Sequence, residues 1–177
     1  MGIMKKVVVI GPESTGKSTL SEQLANYYKT SWVPEYAREY LLQHGTEYTY
    51  DDLLTIAQGQ VALEESYIEK AGHSKLLFID TDQYVMKVWC DFVFGKCHTW
   101  IPDQITKRKY DLYLLCNIDL PWVKDILREY PDLTRRQQLY SIYKNILTNQ
   151  SVPWIEISGN YDERFQKAVQ SVNDLFE

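Results

Sequence analysis

Gly11-Pro12-Glu13-Ser14-Thr15-Gly16-Lys17-Ser18 follows the β-branched apolar run Val7-Val8-Val9-Ile10 and precedes a segment with helical periodicity. The octapeptide fits G-x4-G-K-[ST] in the place that pattern requires, between a buried strand and a helix. Gly11 and Gly16 permit backbone angles that a Cβ disfavours, so the loop can curl. The curl turns successive N–H groups inward as an anion-binding nest, and the following helix N-terminus adds positive potential. Gly11, Glu13, Ser14, Thr15, Gly16 and Thr19 are therefore expected around the phosphates of bound ATP. Lys17 brings a full charge to the β- and γ-phosphates, and the Ser18 hydroxyl is placed to ligate Mg2+. The dinucleotide fingerprint G-x-G-x-x-G is absent from this stretch.

Outward from this loop, strands and helices alternate. Lys5 to Ile10 is apolar without alternation, as a strand buried on both faces of a parallel sheet should be. A helix is expected from about Gly16 to Lys29, with Leu20, Leu24, Tyr27 and Tyr28 on one face. Ser31 to Pro34 reads as a short strand, and Pro34 as the start of a helix that Gly45 stops. Thr49 with Asp52 forms a capping-box start for a long helix ending at Gly72, buried along Leu53, Ile56, Ala57, Val61, Ile68 and Ala71. Lys75 to Ile79 is the next strand, running into Asp80-Thr81-Asp82. Val85, Trp89, Phe92 and Val93 make a helical stripe up to Gly95. Tyr110 to Ile118 and Val152 to Ile157 are strands. Asp132 to Asn149 is a helix with Leu139, Ile142, Tyr143, Ile146 and Leu147 on one face, and Asp162 to Phe176 is a closing helix. The expectation is an α/β fold of the P-loop nucleoside triphosphate hydrolase type, one domain over residues 1–177, with about five parallel strands between helices.

Composition removes several classes. The chain has 177 residues, 45% of them hydrophobic and 24% charged, which is enough for a full core. Its net charge of −5 argues against a general electrostatic grip on nucleic acid. Cys90, Cys97 and Cys116 are too few and odd in number for a disulfide framework, and His98 has no partner at zinc-finger spacing. The basic Met1-Gly2-Ile3-Met4-Lys5-Lys6 start is followed by too short an apolar run for a secretory leader, and Lys6 stands where myristoylation wants Ser or Thr. No apolar run is long enough to span a membrane. The expected location is the cytoplasm.

Missing motifs narrow the reading further. Asp80-Thr81-Asp82-Gln83 lacks the glycine of a GTPase switch, and Asn117-Ile118-Asp119 lacks the lysine of a guanine reader. A compact kinase with one donor and one acceptor site remains. Asp80, ending an apolar strand, is expected to hold Mg2+, with helix capping as the simpler alternative. Asp82 either caps the next helix or faces the substrate. Glu35 follows the second strand, where strand ends open onto the catalytic crevice, and is a candidate base for the acceptor hydroxyl, with Asp82 its rival. Arg38 shares a helix face with Glu35 and either binds ligand or pairs with a glutamate. Arg128, Arg135 and Arg136 flank an expected break between helices around Tyr130-Pro131-Asp132. Such a break could carry an arginine-bearing lid.

Beyond the loop, Pro34-Glu35-Tyr36-Ala37-Arg38-Glu39-Tyr40, Asp80-Thr81-Asp82 and Asp119-Leu120-Pro121-Trp122 resemble the ribosylnicotinamide kinase domain of NadR-type NAD-biosynthesis proteins, across nearly the whole chain. The resemblance implies a nucleoside-kinase-like fold and ATP·Mg2+-dependent phosphorylation of the 5′-hydroxyl of nicotinamide riboside. It implies that Trp122 and a nearby tyrosine stack on the cationic ring, which aromatic faces attract; Tyr36, beside Glu35, is a further candidate substrate contact. Asp119 or Asp125 would meet the ribose hydroxyls or the cation. Two departures stand out. Ile126 occupies the place of the glycine in the family's P-W-x-x-D-G-L-R run, and the H-x-G-H motif of the multidomain relatives' adenylyltransferase is absent.

Two other readings compete with this kinase. One is another small nucleoside kinase on the same fold, which Ile126 keeps open. The other is an ATP-binding regulatory switch with no small-molecule acceptor. For that switch the aromatic-rich middle (Trp89, Phe92, Phe94, Trp100, Tyr110) would be a contact surface, though it reads equally as core or a dimer interface.

Overall fold

The computed structural model describes residues 4–177, so the Met1-Gly2-Ile3 part of the amino-terminal reading lies outside the described residues. A five-stranded sheet runs in the order β2-β3-β1-β4-β5, with every pairing parallel. Its centre is β1 (Lys5–Ile10), between β3 (Leu76–Asp80) and β4 (Leu112–Cys116); β2 (Trp32–Val33) and β5 (Trp154–Ile157) form the edges. Val7, Val8, Val9 and Ile10 have no exposed surface, and every residue of β3 and β4 is buried. Helices cover both faces, which is why these strands read as unbroken apolar runs. Strand order reverses on either side of β1, and such a switch opens a crevice at the carboxyl ends of the strands. Val9 pairs with both Asp80 and Leu114, so the ends of β1, β3 and β4 come level at that crevice.

Helices α1 (Lys17–Tyr28) and α7 (Tyr161–Asn173) cover one face, where Leu20, Leu24, Ala168 and Val172 pack on Val7, Val9, Phe78 and Leu114. On the other face, Val88 of α4 (Gln83–Phe94) and Leu139, Tyr143 and Leu147 of α6 (Leu133–Thr148) meet Val8, Ile10, Leu77 and Leu115. A third cluster lies among α2 (Tyr36–His44), α3 (Tyr50–Lys70), α4 and α5 (Trp100–Lys107), built on Ala37, Leu53, Ile56, Met86, Cys90 and Ile101. The chain ends in a short 3-10 turn, Asp174–Phe176. Among the described residues, no helix is long and apolar enough to cross a membrane.

The alternation of elements and the Thr49–Asp52 capping box are as the sequence predicts. Several local features differ. Helix α2 begins at Tyr36 rather than Pro34, because Glu35 is extended and serves as N-cap. Helix α5 is an addition, short and carrying Pro102 in its first turn, where the missing N–H costs nothing. On α4 the buried residues are Met86, Val88 and Cys90 with Gln83; Val93 is exposed, as is Ile142 on α6. On α3 the buried stripe continues through Gln60 and Glu64 rather than Ile68 and Ala71. Gln60 accepts the Tyr36 N–H at 2.8 Å and donates to the Pro34 carbonyl at 3.3 Å, which ties α3 to the turn carrying Glu35. No helix lies between β4 and Arg128. Residues 117–132 are irregular, so the expected break between helices is a long connection from β4 to α6.

Tyr36 also depends on Gly59. A Cβ at Gly59 would stand 2.1 Å from Tyr36 Cε1. Alanine gains about 1 kcal/mol in helix propensity over glycine. The clash with a ring held through its own backbone should cost more, about 1–3 kcal/mol of overpacking. Gly59→Ala is therefore expected to lower the urea unfolding midpoint, and a raised midpoint would contradict this packing.

Candidate active site

The loop from Gly11 to Ser18 joins β1 to α1. A Cβ at Gly11 (φ 146°) would lie 2.7 Å from the Cys116 carbonyl oxygen, so only glycine lets the loop pass β4. Ser14 and Gly16 take positive φ of 57° and 79°, which turns the backbone inward. Thr15 is fully buried, and its hydroxyl donates to the Pro12 carbonyl at 2.7 Å. Lys17 Nζ donates to the same carbonyl at 2.8 Å and lies over the loop. No side chain caps the N-terminus of α1, and its first turn holds no acid. Its free N–H groups therefore face the loop as anion donors. Arg164, 2% exposed on α7, buttresses the loop from below: it donates to the Thr15 carbonyl at 2.9 Å and the Asn117 carbonyl at 3.0 Å.

Ser18 Oγ donates to Asp80 Oδ2 at 2.5 Å. Asp80 is fully buried, and its Oδ1 has no hydrogen-bond partner. Burial, then the negative charge of Glu35, holds this carboxyl well above the ordinary range, against the pull of Lys17 and Ser18. A hydroxyl and an orphaned carboxylate oxygen beside a phosphate nest are hard oxygen ligands, a donor set suited to Mg2+ shared with phosphates.

Asp82 has a different place. Its Oδ1 accepts the Tyr84 N–H at 3.0 Å as the N-cap of α4, and its Oδ2 accepts the Tyr113 hydroxyl at 2.7 Å. It is 3% exposed and does not line the cavity, so the capping alternative describes it. Burial pushes its carboxyl up to about 6.

A cavity of about 400 Å3 opens between the loop, α2, α4 and the 125–130 segment. Gly11 through Thr19 form its floor, and Glu35, Arg38, Asp125 and Arg128 give it polar walls. Arg38 donates to both Asp125 oxygens, at 3.0 and 3.3 Å, and holds that carboxyl below its usual range. Arg128 donates to the Val123 carbonyl at 2.5 Å. The remaining wall is aromatic, from Tyr48, Trp89, Phe92, Tyr130 and Tyr143. Trp89 Nε1 donates to the Tyr48 hydroxyl at 2.9 Å, and that hydroxyl donates to Glu129 at 3.0 Å.

The other expected site residues lie outside this lining. Tyr36 packs on Gly59. Asp119 accepts from Arg164 and from the Gly159 N–H at 2.6 Å, so it is spent on holding the loop. Trp122 donates to Glu13 at 3.5 Å. Arg135 lies over the Tyr130 ring at 5.7 Å. Arg136 is 4% exposed beneath the loop, with Nη2 3.4 Å from the Ser14 and Leu120 carbonyls and Nε unpartnered. Sequence reasoning missed Arg164 and the aromatic wall. The Val85, Trp89, Phe92 spacing does mark that wall, but helical periodicity alone reads it as core.

Comparison with known proteins bears on the family and the fold. A family described as an AAA domain (AAA_28) matches residues 6–164. The trifunctional NAD biosynthesis/regulator protein NadR of Escherichia coli K12 is 30% identical over 97% of this chain and 43% of its own length. The NadR of Salmonella typhimurium LT2 is similar to the same extent. The chain thus spans less than half the length of these curated relatives. Among solved structures, a NadR protein in complex with NR superposes with a TM-score of 0.84 at 23% identity, over 98% of this chain and 50% of that one. A NadR protein in complex with NAD and AMP-PNP gives 0.77 at 22%, over 98% and 49%. Thymidylate kinase from Ehrlichia chaffeensis gives 0.70 at 14%, over 97% and 100%. The fold is therefore that of P-loop kinases, and the resemblance carried by the sequence motifs is met.

Asp82 offers a test of its buried, capping position. Its folded value near 6 lies above its ordinary 3.8, so the native state holds the extra proton between those values. This contribution favours the fold at low pH and is lost as pH rises through 6. Relative to Asp82→Asn, which keeps a cap acceptor, the wild type should gain roughly 2–3 kcal/mol between pH 7 and pH 4. Urea titrations at stepped pH measure it; parallel pH slopes for the two proteins would refute it.

Proposed function

The chain belongs to the AAA_28 family of AAA domains, and from that premise we propose that it is an ATP-dependent kinase phosphorylating the 5′-hydroxyl of nicotinamide riboside to give the mononucleotide. One observation carries the reading: the phosphate nest, with its Ser18 bonded to the buried Asp80, opens onto the same cavity as Glu35, Arg38 and Asp125. Donor and acceptor groups thus share one crevice. The choice of riboside rests on the NadR relatives, one of them solved with NR, and on a wall of aromatic rings suited to a flat cation.

In this reading the backbone N–H groups from Gly11 to Thr19 bind the phosphates, and Lys17 leaves the Pro12 carbonyl for the β- and γ-oxygens. Ser18 and Asp80 hold Mg2+, which when bound neutralises charge on those oxygens. Glu35 accepts the proton of the 5′-hydroxyl as its oxygen bonds to the γ-phosphorus and the bond to ADP breaks. Both oxygens of Asp82 accept hydrogen bonds, which favours Glu35 over Asp82 as the base. The Arg38–Asp125 pair is assigned the ribose hydroxyls, and Arg128, the one cation of the covering segment on the cavity lining, is assigned the transferring group. Ile126, 77% exposed at the cavity rim, is where a different nucleoside would be accommodated.

ADP release with ATP, Mg2+ and a nucleoside panel tests this directly. Nicotinamide riboside is expected to give the highest kcat/KM; ATP binding without any riboside-dependent ADP would exclude it as acceptor. Glu35→Gln should lower kcat about 10²–10⁴-fold with a cooperative fold retained. Lys17→Ala should lower it at least about a hundredfold by removing charge from the transferring phosphoryl. Wild-type turnover in either variant would overturn its role.

A further inference from the structure

A carboxylate within a loop that must cradle phosphates is electrostatically adverse, so Glu13 calls for a use that offsets this. Its oxygens are already engaged. Oε1 accepts the Tyr130 N–H at 2.5 Å and the Trp122 indole N–H at 3.5 Å, and Oε2 accepts the Glu129 N–H at 3.0 Å. The neighbouring Ser14 hydroxyl accepts the Val123 N–H at 2.9 Å. All four donors lie in the irregular connection from β4 to α6, which has no ladder or helix of its own to satisfy them.

The same segment reaches the opposite wall. Asp125 is clamped by Arg38 of α2, and Glu129 by the Tyr48 hydroxyl. Residues 122–130 therefore form a strap, with one edge on the donor loop and the other on the acceptor wall. We propose that Glu13 is a positioning residue: its carboxylate latches this strap to the phosphate loop, so that donor loop and acceptor wall assemble as one unit and water is kept from the transferring phosphoryl. Charge-assisted bonds to backbone N–H groups are the strong kind, and here Glu13 supplies most of the strap's attachment to the loop.

The chemical consequence rests on the kinase reading above. With the strap latched, the γ-phosphoryl passes to the riboside oxygen and the hydroxyl proton to Glu35. With the strap loose, water takes the phosphoryl instead, giving ADP, inorganic phosphate and a proton. Substrate-enclosing segments suppress that side reaction by excluding water.

The test compares wild type with Glu13→Ala and Glu13→Gln, the latter keeping one carbonyl oxygen for the Tyr130 N–H. Limited trypsin digestion is scored at Lys124 and Arg128 within the strap and at Lys70 and Lys107 outside it. Steady-state assays score ADP and mononucleotide separately. In Glu13→Ala, cutting at Lys124 and Arg128 should rise about tenfold, as should the riboside KM and the excess of ADP over mononucleotide. Glu13→Gln should fall between the two. Unchanged cutting in the strap, or an equal rise at Lys70 and Lys107, overturns the latch. Faster cutting with unchanged riboside KM and product ratio overturns the positioning role. If wild type makes no mononucleotide, the kinase reading fails, and the cutting pattern alone still decides whether Glu13 holds the strap.

Discussion

The contact on which the site depends is the passage of Gly11 over the Cys116 carbonyl, where a Cβ would stand 2.7 Å from that oxygen. It brings the loop hard against the end of β4 as it leaves β1. Parallel pairing then sets Asp80 level with Val9, within reach of Ser18 at the start of α1. Arg164 fixes the same geometry from below through the Thr15 carbonyl, and Asp119 holds Arg164. A side chain at Gly11 would push the loop off β4 and loosen all of these together.

The electrostatics follow from that compression. The chain carries a net −5, and the site concentrates acid: Glu13, Glu35, Asp125 and Glu129 line the cavity with Asp80 beneath, against Lys17, Arg38 and Arg128. Two of these charges are committed to each other, since Arg38 is spent on Asp125. Asp80 is left buried beside Glu35 with one oxygen unpartnered. Burial and the nearby charge of Glu35 both disfavour the charged form of Asp80, which needs positive charge close by to offset them. Lys17 meets part of that need and is itself bonded to a carbonyl.

Much of the fold was legible because its signals are local. Unbroken apolar runs mark β1, β3 and β4, and a curled glycine loop and a capping box mark α1 and α3. What escaped is non-local. Asp82 at a strand-to-helix turn looks the same whether it caps or catalyses; the deciding fact is the Tyr113 hydroxyl on the adjacent layer. Asp119 sits in the family-like D-x-P-W run, yet its partner Arg164 lies on α7, and no spacing announces that pair. Gln60, Glu64 and Arg136 are buried polar residues that interrupt the apolar periodicity of their helices, so the stripes were drawn around them. On α4 the helix is apolar on two faces. Met86 and Cys90 enter the third cluster while Trp89 and Phe92 line the cavity, and periodicity cannot tell a core wall from a ligand wall.

The aromatic wall is held by its own contacts. The Tyr48 hydroxyl is fixed at both ends, accepting from Trp89 and donating to Glu129, and its ring meets Trp89 edge-on at 4.9 Å. Phe92 and Tyr130 meet edge-on at 5.5 Å across the junction of α4 and the strap. Such pairs hold rings in place without flexible side chains, so a flat ligand entering here would lose little affinity to ordering the wall. Tyr130 links the two halves of the site. Its N–H is bonded to Glu13 of the phosphate loop while its ring packs on Phe92 of the acceptor wall. One residue thus ties the phosphate loop to the aromatic wall, with no flexible linker between them.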